Sequence, residues 1–76
     1  VSDMFKDIRT YLEEQNGKAK FLPEDYAHLS HRLRDIMQKE SMFASRNGGS
    51  LDAIDEENIR KDLNMLSGDI ARRVKP

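Results

Sequence analysis

The chain has 76 residues, of which 36% are charged and 37% hydrophobic, and its 13 basic and 14 acidic side chains give a net charge of −1. This length supports one small core, and the charge balance lacks the basic excess that nucleic-acid-binding domains usually direct at phosphates. The absence of cysteine excludes disulfides and zinc–thiolate sites.

The sequence also predicts the location of the protein in the cell and the domain organisation of the chain. No stretch of the sequence is long and apolar enough to predict a membrane span, and no signal peptide is recognisable. Together with the lack of cysteine, this predicts an intracellular protein, in the cytoplasm or nucleus. The chain begins at Val1 rather than at Met, so we expect residues 1–76 to form a single helical domain taken from a larger protein.

The first predicted element is an amphipathic helix over residues 2–16. Met4, Ile8 and Leu12 recur at helical spacing, and Phe5 flanks the same face. Asn16-Gly17 follows, and the pattern predicts Gly17 at the left-handed position that ends many helices. Phe21 and Leu22 in the following loop are expected to cover the end of the core.

The second predicted helix spans residues 23–45 and carries the widest apolar face of the chain. Pro23 occupies the position where proline suits a helix start. The apolar face comprises Tyr26, Leu29, Leu33, Ile36, Met37, Phe43 and Ala44. Glu40 projects into this face, and burial of an unpaired carboxylate is costly. We therefore expect the core to stop near Glu40.

Residues of the second helix that suggest chemistry have simpler explanations. His28 and His31 are three positions apart, whereas two-histidine helical zinc sites use a spacing of four and need a further ligand. Ser30, His31 and Asp35 include the residue types of a hydrolytic triad, but neighbours on a helix point about 100° apart. The sequence therefore predicts no metal site, no cofactor and no enzymatic activity.

The third predicted helix spans residues 55–74, after a break at residues 47–50 whose Gly-Gly-Ser composition is also typical of engineered joints. Ile54 and Ile59 flank Asp55 in the arrangement of a hydrophobic staple around an N-cap. A narrow apolar stripe follows at spacings of four, three, four and four, formed by Ile59, Leu63, Leu66, Ile70 and Val74. Gly68 interrupts this helix at a cost of about 1 kcal/mol relative to alanine.

These elements predict an all-α fold, a compact three-helix bundle with helices near 2–16, 23–45 and 55–74. The predicted core consists of Met4, Phe5, Ile8, Leu12, Tyr26, Leu29, Leu33, Ile36, Met37, Ile59, Leu63, Leu66 and Ile70.

The predicted function is binding of another protein. Grooves between helix pairs accept a partner helix or peptide, and the third helix could also pair with a copy of itself to form a homodimer. The predicted anchors are Met37, Phe43 and Met65, with Lys61 and Arg72 as flanking charges.

The alternative is a helix-turn-helix nucleic-acid-binding domain. Its phosphate and base contacts would come from Arg32, Arg34, Arg60 and Arg73. The acidic side chains that crowd the third helix weigh against this alternative, because each would face a phosphate field.

Overall fold

Three helices account for most of residues 2–76, the part of the chain that the computed structural model describes. They are α1 (Ser2–Gly17), α2 (Pro23–Arg46) and α3 (Ala53–Arg73), and no strand occurs among the described residues. Each helix packs against both others, in a rod of 42 × 16 × 16 Å. The predicted three-helix bundle is therefore confirmed. None of the described helices has the length and apolar character needed to cross a membrane.

One cluster of buried apolar side chains runs along the axis of the rod. The helix α3 contributes the predicted stripe from Ile59 to Ile70, and each of these side chains is 0–1% exposed. Val74, the last predicted member, is the C-cap that follows α3 and is only partly buried. Such burial is worth about 1.5–3 kcal/mol per side chain as an upper estimate. The cluster consists of Phe5, Ile8, Leu12, Phe21, Leu29, Leu33, Ile36, Ile59, Leu63, Leu66 and Ile70.

Three predicted core residues lie at or beyond the margin of this cluster. Met4 and Tyr26 are only partly buried and pack against it. Met37 is 41% exposed, so its assignment to the core was wrong. Met37 lies at the edge of the apolar face of α2, where helix periodicity alone does not separate core from rim.

The connection from α1 to α2 corrects two predictions. Ala19 donates its N–H to Asn16 O (3.0 Å) and Lys20 donates to Gln15 O (2.9 Å), which is the Schellman pattern. The left-handed residue is Ala19, with φ of 58°, whereas Gly17 is still helical. Phe21 is buried as predicted, but Leu22 is 43% exposed.

The connection from α2 to α3 ends α2 in the same way but with glycine. Gly49 donates its N–H to Ala44 O (2.7 Å), and Gly48 is the left-handed residue, with φ of 71°. The next helix, α3, begins at Ala53, two residues before the predicted start.

The N-cap of α3 is Asp52 rather than Asp55. The Asp52 side chain accepts a hydrogen bond from the Asp55 N–H at 2.8 Å, as N-cap carboxylates do for the third helical residue. Ile54 therefore lies inside the helix and is 74% exposed, so the predicted hydrophobic staple does not form.

Polar contacts between helices set their relative register. The Tyr26 hydroxyl on α2 donates a hydrogen bond to Glu13 on α1. At the other end of the rod, the Lys75 N–H donates to Lys20 O (2.8 Å) and ties the C-terminal segment to the first connection.

Candidate functional site

A groove runs between α1 and α2 on the surface of the bundle. It has a volume of about 270 Å³ and is lined by Arg9, Leu12, Glu13, Ser30, Leu33, Arg34 and Met37. We call this the α1–α2 groove. A second depression of about 400 Å³ shares Arg34 and Met37 with it and continues along α2 to Ser41. The two depressions together give α2 a recessed strip long enough for a short helix or extended peptide.

The floor of the α1–α2 groove is apolar, and its wall carries one unsatisfied polar atom. Leu12 and Leu33 are 1% and 5% exposed and form the floor. Met37, at 41% exposed, lies where the two depressions meet. The Ser30 Oγ is buried and has no hydrogen-bond partner among the described residues. A buried hydroxyl without a partner costs free energy, so the packing of α1 against α2 leaves one polar atom of this wall unsatisfied.

In the described structure, the two arginines on the rim of the groove are free of internal ion pairs, whereas its one carboxylate is already hydrogen-bonded. No carboxylate of residues 2–76 lies within ion-pair distance of Arg9 or Arg34. Glu13, in contrast, accepts a hydrogen bond from the Tyr26 hydroxyl at 2.6 Å. This bond to Glu13, with partial burial, raises the pKa of Tyr26 above its ordinary value. The nearby Ser30 hydroxyl opposes that shift without a hydrogen bond of normal geometry.

Glu40 lines the second depression and is half-buried. The last fully buried residue of α2 is Ile36, although the helix continues to Arg46. The core therefore thins near Glu40 without a bend or an end of the helix. In the described part of the chain no cation pairs with Glu40, so this carboxylate adds a negative group to the far end of the recessed strip.

The interface between α2 and α3 is closed by ion pairs along its length. Asp25 pairs with Arg73 (2.6 Å), Arg32 with Asp69, and Lys39 with Asp62 (2.7 Å). A depression of about 230 Å³ lies between these pairs and is lined by Arg32, Asp35, Ile36, Asp62 and Met65. Most of its polar groups already have partners within the fold, so it offers less to a ligand than the α1–α2 groove.

A fourth depression, of about 300 Å³, lies between α1 and α3. Its lining includes Ile8, Tyr11 and Ile70, and Tyr11 is 43% exposed. Here the only charged lining residue is Asp7.

The five predicted anchor and flanking residues do not form one site. Met37 lies in the α1–α2 groove. The Phe43 ring is half-buried, and the Lys39 Nζ and the Arg46 Cζ lie 5.6 and 4.9 Å from its centroid. These cation–π contacts within the chain use part of the ring surface.

The remaining three predicted residues share one exposed side of α3. Lys61, Met65 and Arg72 are spaced four and seven positions apart, which places them on one helix face, and all three are exposed. Met65 is 65% exposed. Helix periodicity could show that these residues share a face, but it could not show that Met37 lies elsewhere.

Three of the four arginines of the nucleic-acid alternative are used within the fold. Arg32 and Arg73 pair with carboxylates across the α2–α3 interface, and Arg60 pairs with Glu56 and Glu57 on its own helix. Arg34 alone keeps a free guanidinium among these four in the described structure.

Two residues of the groove escaped the sequence interpretation. Arg9 and Ser30 lie on helix faces that the periodicity marks as polar, and only the packing of α1 against α2 brings them together. No cluster of three or more metal-ligating side chains occurs within residues 2–76.

Comparison of the chain with protein-family models, with curated proteins and with solved structures gave no match. The surfaces described above are therefore the basis for assigning a function.

Proposed function

We propose that the chain is a protein-interaction module that binds an amphipathic helix or peptide of a partner protein in the α1–α2 groove. The observation that supports this most directly is the exposed Met37 side chain beside the apolar floor of Leu12 and Leu33 in one recess. Methionine adapts its shape to different apolar partners.

The charges of the groove favour a particular kind of peptide. Arg9 and Arg34 lie on opposite walls, one on α1 and one on α2, and both are free of internal ion pairs. An apolar side chain placed against Met37 and Leu33, flanked by an acidic residue, would complement this arrangement. Binding to nucleic acid is the weaker alternative, since three of its four predicted arginines are already paired with carboxylates within the fold.

The test is selection of helical peptides from a displayed library against the full chain, followed by NMR with methyl-labelled methionine. The four methionines report on different surfaces, because Met37 lies in the groove and Met42 lies on the exposed side of α2. We expect the selected peptides to carry apolar and acidic residues and to shift the Met37 methyl signal while leaving the Met42 signal unchanged.

Substitutions in the groove provide the control. Met37→Glu and Arg34→Glu should each weaken the selected peptides at least tenfold, about 1.4 kcal/mol, whereas Met42→Glu should have no effect. Peptides that bind the Met37→Glu and Met42→Glu variants equally well would contradict the proposal. The nucleic-acid alternative would be favoured instead if the chain bound a short DNA duplex in a salt-sensitive way and Arg34→Glu weakened that binding.

A further inference from the structure

A line of residues along one side of α3, exposed except for the half-buried Gly68, is separate from the α1–α2 groove. Its members are spaced three, four, four, three and four positions apart, which keeps them on one side of the helix. We call this the outer face of α3, and it consists of Ile54, Glu57, Lys61, Met65, Gly68 and Arg72. Ile54 and Met65 are 74% and 65% exposed, so two large apolar side chains of α3 have no cover within the chain.

Gly68 on this face has no explanation within a single chain. It lies inside α3, where glycine costs stability relative to alanine, and its φ is not positive. A Cβ at this position would meet only the flexible Arg72 guanidinium, at 3.6 Å. Neither backbone conformation nor packing within the described residues requires glycine here. Small residues do permit close approach of a second helix, since the separation of helix axes depends on the side chains at the contact.

The charges of α3 are arranged with opposite signs at its two ends. On the outer face, Glu57 lies near the start of α3 and Arg72 near its end. Each has an ion pair on its own helix, with Arg60 and with Asp69 respectively. The Glu57 and Arg72 side chains nevertheless remain 53% and 72% exposed and can take a second partner. A second α3 lying antiparallel would therefore place opposite charges of the two outer faces together, and a parallel one would place like charges together.

We propose that two copies of this chain associate through the outer face of α3 in antiparallel orientation. Each Glu57 then faces Arg72 of the other copy, the Lys61 stem lies over Gly68, and Met65 lies near the two-fold axis. An isologous contact of this kind repeats every interaction twice. This proposal does not depend on the α1–α2 groove, which lies away from α3.

The test is sedimentation equilibrium of the full chain from micromolar to millimolar concentration, at low and moderate salt. We expect a monomer–dimer equilibrium that weakens with salt. Glu57→Arg should raise the dissociation constant at least tenfold, because like charges then face each other twice. The double variant Glu57→Arg/Arg72→Glu should restore association, since the swapped pair is again complementary.

Gly68→Gln separates the roles of this residue in folding and in association. Glutamine forms helix better than glycine, so the variant should melt a few degrees higher while its dimer dissociates more readily. A protein that stays monomeric at millimolar concentration would overturn the proposal. A dimer that responds to Met37→Glu but not to Glu57→Arg or Gly68→Gln would overturn it as well, and would place the contact in the groove.

Discussion

The two interfaces of α2 differ in how completely they are closed. Toward α3, three ion pairs cross the interface at intervals along its length, above a stripe of α3 side chains that are 0–1% exposed. Toward α1, one hydrogen bond from Tyr26 to Glu13 crosses the surface, and Met37 and the Ser30 Oγ are left without partners.

This difference distinguishes a closed side of α2 from a more open side. Closure of both apolar and polar groups is what a stable helix pair needs. An interface that retains exposed apolar surface can bury that surface against a partner. We therefore interpret α2–α3 as the stable unit and the α1–α2 groove as the surface available to a partner.

The largest expected difference in stability between the two interfaces is tested with one residue from each. Leu63→Ala removes a side chain that is 0% exposed in the centre of α3 and should lower the free energy of unfolding by about 2–5 kcal/mol. Met37→Ala, in the groove, should cost less than about 1 kcal/mol, because its side chain is already 41% exposed. Urea denaturation followed by circular dichroism measures both. Equal losses would show that Met37 belongs to the core after all.

A smaller effect is expected at the charged groups of the two interfaces. Asp69 accepts from both Arg32 and Arg72 and is partly buried. Asp69→Asn should therefore cost about 1–2 kcal/mol, in the range for hydrogen bonds to charged groups.

The matched change on the other side is Glu13→Gln, which keeps a hydrogen-bond acceptor for Tyr26. We expect it to cost less than about 0.5 kcal/mol, as is usual at exposed sites. Thermal unfolding of the two variants under the same conditions checks the order. A larger loss for Glu13→Gln than for Asp69→Asn would contradict the division between a closed and an open interface.

A modest effect, of stabilising sign, is expected at the connection that brings α1 onto α2. Ala19 has a φ of 58°, where a Cβ is strained, and Gly17 is helical with open space around its Cα. Ala19→Gly and Gly17→Ala should each stabilise the chain by about 0.5–1 kcal/mol. Gly48→Ala, at the corresponding position after α2, should instead destabilise it, because its φ is 71°. Chemical denaturation of the three variants measures this contrast.

The helices and most of the core were predictable because they depend on periodicity within one segment. The stripe Ile59–Ile70 is an example, since each member is specified by its spacing from the last. Local capping was less predictable: Asp52 and Asp55 are both suitable N-cap residues, and only the backbone conformation distinguishes them. Likewise, Asn16-Gly17 suggests glycine as the left-handed residue, but Gly17 is still helical and the left-handed residue is Ala19.

The candidate site was the least predictable part because it is made by two helices together. Met37 could be singled out from the sequence, but its neighbours Arg9 and Ser30 could not. Their proximity depends on the register of α1 against α2, which no repeating pattern specifies. Which arginines remain unpaired on the surface was unpredictable for the same reason, because Arg32 and Arg73 form ion pairs with carboxylates that are distant in sequence.

The hydrogen bond from the Lys75 N–H to the Lys20 carbonyl oxygen determines where the C-terminal segment lies along the rod. It holds the end of the chain beside the first connection, while Ser2 begins α1 about 24 Å away along the axis, given 1.5 Å per helical residue. Dyes attached near residue 2 and at the C-terminal segment would therefore lie at different levels of the bundle. The distance between them would report directly whether α1 remains docked on α2.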